Sequence, residues 1–133
     1  MRTVLITGSR SIKTKEYVFY ILDKEIKEGD YIIQGGAEGV DKLVLDWCNS
    51  NNRKDGVNWD TIEPINKKDK SYYLHRNAEM IGMCDIVIAI WDGKSRGTDF
   101  TIRYAKERFK PVILYNTNDA LVEQSEPEEK NGK

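Results

Sequence analysis

A glycine-rich stretch between a short apolar run and an amphipathic helix constrains the fold of this chain most. Residues 35–41 read Gly-Gly-Ala-Glu-Gly-Val-Asp and follow the apolar run Tyr31-Ile32-Ile33. Glycine buries no side chain and loses the most backbone entropy on folding, so this cluster indicates a sharp turn or a close approach to the backbone. Apolar residues then recur at helical spacings of three and four. They are Val40, Leu43, Val44, Trp47 and Cys48. The pattern predicts a strand, a tight turn and a helix.

The same turn is a candidate anion site. The first amides of a helix lack intrahelical acceptors and carry the positive end of the helix dipole, so phosphate often binds there. We predict that Gly35, Gly36, Ala37 and Gly39 contact a ligand through their backbone. Asp41 falls in the first helical turn, where it could accept hydrogen bonds from ribose hydroxyls; we favour a role in tying down a neighbouring loop. A tight turn without a ligand is the alternative interpretation.

The rest of the chain repeats the alternation of strand and helix. Strands are predicted over 3–7, 31–34, 57–62, 85–91 and 111–115, and helices over 14–27, 40–48, 71–83 and from about Thr98 to Phe109. This alternation predicts an α/β fold, a three-layer Rossmann-like sandwich around a five-stranded parallel sheet in the order 3-2-1-4-5. The third strand alternates polar and apolar residues, which favours a sheet edge. We assign 1–117 to this domain and 118–133, with five acidic residues, to a mostly disordered C-terminal tail.

Composition excludes several classes of protein. The formal net charge of -1 provides no global basic field for nonspecific nucleic-acid binding. No apolar run has the length of a signal peptide core or a membrane span, so we expect a cytoplasmic protein. The spacing of Cys48 and Cys84 is not that of a metal site, and both are predicted to be reduced core residues. We therefore expect no metal.

Loops that follow parallel strands meet at one edge of the sheet, where ligands of such folds bind. Arg10 follows the first strand and could hold a phosphate with two hydrogen bonds. Asn77 lies on the predicted buried stripe of the third helix, with Leu74, Ala78 and Ile81, and is expected to fix neighbouring loops. Arg76 is predicted to lie off that stripe and to reach the ligand. The remaining predicted contacts are Gly8 and Ser9 after the first strand and Ser95, Gly97 and Thr98 at the fourth helix.

These residues resemble the SLOG superfamily of Rossmann-like domains, and most of all the YspA/cpYpsA-related proteins of bacteria and phages. The resemblance covers about residues 1–115. It is carried, in order, by Gly8-Ser9-Arg10, residues 35–41, Arg76-Asn77 and Ser95-Arg96-Gly97-Thr98. It implies that the protein binds a nucleotide or a nucleotide-derived ligand without a required cofactor. A homodimer is left open, because relatives often dimerise through helices.

Two related families define the alternatives. The DNA-processing protein A family has a similar glycine turn and a later Arg-Asn pair, and it binds single-stranded DNA. Here Lys67, Lys68, Lys70 and Arg76 would contact the strand, although such binding usually demands a continuous basic groove. The Lonely guy phosphoribohydrolases cleave the N-glycosidic bond of nucleoside monophosphates with the motif Gly-Gly-x-Gly-Thr-x-x-Glu.

The hydrolase motif is incomplete in this chain. Thr101 stands where the glutamate belongs, and Lys94-Ser95 replaces the first two glycines. If the chain were nevertheless an N-glycosidase, a carboxylate near the rim would have to assist. The candidates are Glu38, Glu79, Asp92 and Asp99. A binding module is therefore our first expectation, and whether the chain is an enzyme stays open.

Overall fold

Strands and helices alternate along the chain in the computed structural model, which describes residues 1–65, 71–116 and 121–125. The strands are β1 (Thr3–Gly8), β2 (Tyr31–Gln34), β3 (Asn58–Thr61), β4 (Ile86–Trp91), β5 (Val112–Asn116) and β6 (Leu121–Ser125). The helices are α1 (Lys15–Glu25), α2 (Val40–Cys48), α3 (Tyr72–Met83) and α4 (Arg96–Glu107).

All these strands form a single sheet in the order β3-β2-β1-β4-β5-β6. The first five are parallel, with Val4 of β1 in register with Ile32 of β2 and with Ile86 of β4. The predicted parallel order 3-2-1-4-5 is confirmed, and β3 lies at the edge of the sheet as its alternating sequence indicates.

The sixth strand corrects part of the predicted tail. Residues 121–125 pair antiparallel with β5 through their backbone, whereas sequence analysis assigned them to a mostly disordered segment. Backbone hydrogen bonds along an open sheet edge require no side-chain periodicity, so the sequence pattern does not reveal them. Residues 118–120 and 126–133 of the predicted tail lie outside the described residues.

Helices cover both faces of the sheet and complete the predicted three layers. Val4 and Ile6 of β1 belong to the core cluster beneath α1 and α2, while Leu5 belongs to the cluster beneath α3 and α4. This division follows from the opposite directions of successive side chains in a strand. Cys48 and Cys84 are buried free cysteines, as predicted. Within the described residues, no helix combines the length and the apolar character needed to cross a membrane.

Three residues predicted to be buried are not. The buried face of α3 is formed by Arg76, Asn77, Met80 and Ile81, whereas Leu74 and Ala78 are only half-buried. The fourth helix was predicted to run to about Phe109 and to bury this residue, but α4 ends at Glu107. Phe109 then adopts a positive φ of 58° and its side chain is 57% exposed. The chain leaves the helical period before this residue, so the apolar stripe does not include it.

Candidate functional site

A cleft with a volume of about 640 Å³ lies at the carboxyl edge of the parallel sheet. This size falls within the range of small-molecule sites. The loops after β1, β2 and β4, one face of α3 from Tyr72 to Met80 and the first turn of α4 line it, so the loops after the parallel strands meet at one edge as predicted. The predicted contacts among its lining residues are Gly8, Arg10, Ala37, Asp41, Arg76, Asn77, Ser95, Gly97 and Thr98.

Four predicted contacts do not line the cleft, namely Ser9, Gly35, Gly36 and Gly39. Ser9 is fully buried beneath it. The Ser9 hydroxyl accepts a hydrogen bond from the Asp92 amide at 2.9 Å. Its carbonyl accepts from the Val40 amide at 3.3 Å. Ser9 therefore joins the loops that surround the cleft instead of contacting its contents.

The glycine turn closes on a carboxylate of the protein itself. The amides of Gly35 and Ala37 donate to Asp41 Oδ2 at 3.2 and 3.1 Å. The Gly36 amide donates to Gln34 Oε1 at 2.6 Å. Asp41 thus ties the turn that directly precedes its own helix, whereas we favoured a role in tying down a neighbouring loop. The prediction that the amides of this turn cradle a phosphate is wrong for these three residues, because their hydrogen bonds are already made.

The glycines of this turn permit close contact between protein segments. A β-carbon at Gly39, where φ is 76°, would lie 2.4 Å from the carbonyl oxygen of Ser9. A β-carbon at Gly35 would lie 2.5 Å from the guanidinium carbon of Arg76. Gly97 differs, since its added β-carbon would meet only the ring of Tyr73, at an ordinary 3.7 Å. Packing of the protein alone does not exclude a side chain at Gly97, which lines the cleft.

Arg76 is buried, contrary to the prediction that it lies off the buried stripe. It is 7% exposed, and its Nη1 donates to the carbonyls of Gly35 and of Ile62. Its Nε donates to Asn77 Oδ1 at 2.8 Å, so Asn77 orients the guanidinium group that bonds these two carbonyls. Burial lowers the pKa of Arg76, and the nearby Asp41 charge opposes that shift. Nη2 has no acceptor among the described residues although Arg76 lines the cleft.

The first turn of α4 presents backbone donors that the protein does not use. The amides of Lys94 and Ser95 both donate to Asp92 Oδ1 at 2.8 Å. In the described part of the chain, the following amides of Arg96, Gly97 and Thr98 have no acceptor. All three residues line the cleft. The start of α4 therefore has the open amides and the dipole that favour an anion.

Arg96 lies within the motif Ser95-Arg96-Gly97-Thr98 and lines the cleft, although it was not among the predicted ligand contacts. A cation at the start of a helix is opposed by the dipole, so α4 gains nothing from Arg96 at this position. Neither Arg96 nor Arg10 has an ion-pair partner within the described ranges. With Arg76 they place three positive charges in the lining, against Asp41 and Asp92. Lining residues that sequence analysis did not name as contacts also include Thr7, Ser11, Tyr72, Tyr73 and Met80.

Three of the four candidate catalytic carboxylates lie outside the cleft lining. Glu38 forms an exposed ion pair with Lys13, with 3.6 Å between Oε1 and Nζ. Glu79 is exposed on α3. Asp99 pairs with Arg103 at 3.1 Å along α4. These carboxylates are therefore not placed to act on a molecule in the cleft.

Asp92 lines the cleft as a strongly hydrogen-bonded carboxylate. Partial burial acts to raise its pKa, but hydrogen bonds from Ser11, Lys94 and Ser95 outweigh that effect and lower the pKa to about 2. Such a group stays ionised and is a poor proton donor at neutral pH. Thr101, which replaces the motif glutamate, is fully buried and donates its hydroxyl to the Gly97 carbonyl at 2.9 Å. The Lys67, Lys68 and Lys70 of the DNA-binding alternative lie outside the described residues.

Comparisons with known proteins define the family and the fold. No family model matches the chain. The Gene 61 protein of Mycobacterium phage D29 is 32% identical over 124 residues, covering 86% of this chain and 97% of that protein. The structure of DNA processing protein A from Helicobacter pylori, which has a unique single-stranded DNA binding mode, matches with a TM-score of 0.62. That match has 23% identity and covers 97% of this chain and 70% of the other, which shows a shared fold. The chain therefore belongs to the family of the phage D29 Gene 61 protein and has the Rossmann-like fold of DNA processing protein A.

Proposed function

We propose that this protein is a nucleotide-binding module that holds the phosphate of a nucleotide or nucleotide-derived ligand at the start of α4. We assign it to the YspA/cpYpsA-related group of the SLOG superfamily. One observation carries the proposal: the acceptor-free amides of Arg96, Gly97 and Thr98 line the same cleft as the buried Arg76, whose Nη2 is unused. Backbone amides at a helix start and guanidinium groups are both phosphate-binding groups.

The other lining residues suit the rest of a nucleotide. Arg10 and Arg96 add positive charge without an ion-pair partner among the described residues. The Tyr72 and Tyr73 rings stand edge to face, with 5.9 Å between their centroids, and both line the cleft. Aromatic faces of this kind stack with bases. The proposal requires no cofactor and no metal, and it suits a cytoplasmic monomer or homodimer.

Binding without cleavage is favoured by the positions of the carboxylates. Glu38, Glu79 and Asp99 are absent from the cleft lining, and Asp92 is held ionised by its hydrogen bonds. An N-glycosidase needs a carboxyl group that can assist departure of the base. We therefore rank N-glycosidase activity below binding. Incubation with nucleoside monophosphates and detection of free base tests this ranking, and release of the base would reverse it.

Single-stranded DNA binding is the second candidate, because the fold is that of DNA processing protein A from H. pylori, which binds single-stranded DNA. Arg10 and Arg96 could contact phosphates of such a strand at the cleft. The net charge of -1 weakens this candidate, since strand binding usually uses a continuous basic groove.

A ligand screen by thermal shift distinguishes the two candidates. The probes are nucleoside mono-, di- and triphosphates, ADP-ribose, cyclic nucleotides, inorganic phosphate and an oligothymidylate. A ligand at one hundred times its Kd adds about 2.7 kcal/mol to the free energy of unfolding, which raises the Tm by several degrees. A response to nucleotides supports the proposal, and a response to the oligonucleotide alone favours the second candidate. If none of these probes raises the Tm, the proposal is wrong.

A pair of variants on α4 then tests where the phosphate binds. Arg96→Ala should weaken the best nucleotide from the screen by about 10- to 100-fold, the usual effect of losing a hydrogen bond to a charged group. Arg103→Ala removes the same charge from the same helix but from an exposed pair with Asp99, and should leave the affinity unchanged. Isothermal titration calorimetry measures both. Equal affinities for Arg96→Ala and the parent would show that the Arg96 side chain does not contact the phosphate.

A further inference from the structure

Asp41 has one carboxylate oxygen that the protein does not use. Oδ2 accepts the amides of Gly35 and Ala37. Oδ1 has no hydrogen-bond donor among the described residues, and Asp41 has no ion-pair partner there. The residue is nevertheless only 7% exposed and lines the cleft. Because buried polar atoms are normally hydrogen-bonded, this oxygen is suited to a donor on a molecule in the cleft.

The charges around Asp41 restrict that donor to a neutral group. A phosphate placed against a carboxylate would be repelled, and a cationic group would meet the charges of Arg76 and Arg10, both of which act on Asp41. A hydroxyl meets neither objection and forms a strong hydrogen bond with an ionised acceptor. The cleft therefore combines a phosphate-binding helix start with an acceptor for one hydroxyl.

The negative charge of Asp41 is not needed to close the glycine turn. A single oxygen accepts both turn amides, so the neutral oxygen of an asparagine would suffice. Burial raises the pKa of Asp41 to about 6, against the hydrogen bond from Ala37 and the charge of Arg76. Ionisation of Asp41 therefore destabilises the folded protein when no ligand is bound. The Arg76 charge offsets only part of this cost, so a role toward a ligand accounts for a carboxylate at this position in addition to its balance of the Arg76 charge.

We infer that Asp41 accepts a hydrogen bond from a ribose hydroxyl, so that the cleft selects ribonucleotides over their deoxy forms. The inference rests on the proposed function, because a phosphate at α4 is what would hold the sugar in this cleft. It also separates this protein from a binder of DNA, whose sugar lacks the 2′-hydroxyl.

Calorimetry with matched probes tests the inference on the full chain. The probes are the four ribonucleoside 5′-monophosphates, their 2′-deoxy and 3′-deoxy forms, and ribose 5-phosphate with 2-deoxyribose 5-phosphate. The parent should bind the ribose form about 10- to 100-fold tighter than at least one deoxy form. The sugar phosphates carry no base, so a preference between them comes from the hydroxyl alone.

The variant Asp41→Asn should still bind these probes, with the preference reduced to about 3-fold or less, because the amide places an NH₂ group where Oδ1 accepts. Asp46→Asn on the same helix, in an exposed pair with Lys42, should keep the full preference. Equal binding of ribose and deoxy forms by the parent overturns the inference while the proposed function stands. A preference that survives in Asp41→Asn also overturns it. Failure of every probe to bind overturns the proposed function, and the inference with it.

Discussion

Replacing Asp41 by asparagine is expected to stabilise the empty protein above pH 6. Burial raises the pKa of Asp41 from 3.8 to about 6, although the Ala37 hydrogen bond and the Arg76 charge act to lower it. One pKa unit corresponds to about 1.4 kcal/mol, so ionisation costs the folded state up to about 3 kcal/mol. The folded protein binds this proton more tightly than the unfolded chain does. The contribution of the Asp41 carboxyl group to the free energy of unfolding therefore falls as pH rises from about 4 to 6 and then stays constant.

An asparagine has no charge at any pH in this range, and its oxygen can still accept the amides of Gly35 and Ala37. The difference in unfolding free energy between Asp41→Asn and the parent should therefore be small near pH 4 and approach about 3 kcal/mol at pH 8, as an upper limit. For a domain of this size, that corresponds to a rise of about 10 °C in Tm.

Urea denaturation of both proteins at intervals from pH 4 to pH 8 measures this difference directly. Asp46→Asn is the matched control, because Asp46 lies on the same helix in a surface pair with Lys42 at 4.0 Å. Its effect should stay within about 0.5 kcal/mol at every pH. The reasoning is refuted if Asp41→Asn is less stable than the parent at pH 8, or if its effect does not change with pH. Either result would mean that the hydrogen bonds and charges around the ionised carboxylate stabilise it at least as much as burial destabilises it.

Three further substitutions test the site and its support. Gly97→Ala should abolish or strongly weaken nucleotide binding while stabilising the helix by up to about 1 kcal/mol. Gly82→Ala, with no atom within 4 Å of the added carbon, should stabilise its helix without affecting binding. Calorimetry measures the binding and urea denaturation measures the stability. Gly39→Ala should lower the free energy of unfolding by more than about 2 kcal/mol through backbone overlap and strain, whereas Gly29→Ala, at a φ of 80° in open space, should cost about half as much in the same urea titration. Arg76→Ala should cost about 2–4 kcal/mol by urea denaturation, because it leaves the buried carbonyl of Gly35 and the partly buried carbonyl of Ile62 without their donor. An unchanged midpoint would contradict the buried position of this guanidinium.

Local patterns in the sequence determined the parallel α/β architecture and the edge of the sheet that carries the site. Strand and helix periods are set by residues a few positions apart, so the β2 run and the buried stripe of α2 could be predicted without distant contacts. The meeting of the loops at one rim follows from parallel strands alone. Even the tie between Asp41 and the glycine turn is local, since its partners lie four and six residues away.

Only the tertiary structure decided which groups of the rim are available to a ligand. Arg76 is buried because it meets the carbonyls of Gly35 and Ile62, which lie 41 and 14 residues away in the chain. The helical period of the sequence cannot show that distant carbonyls will accept hydrogen bonds from this guanidinium. A charged residue is therefore predicted to be exposed. The turn before α2 and the turn before α4 look alike in the sequence. Gly35 and Ala37 of the first donate their amides to Asp41, whereas residues 96–98 of the second line the cleft and their amides have no acceptor among the described residues. Whether a donor is free depends on which acceptors the fold brings within about 3 Å of it, and that is a property of distant segments packed together.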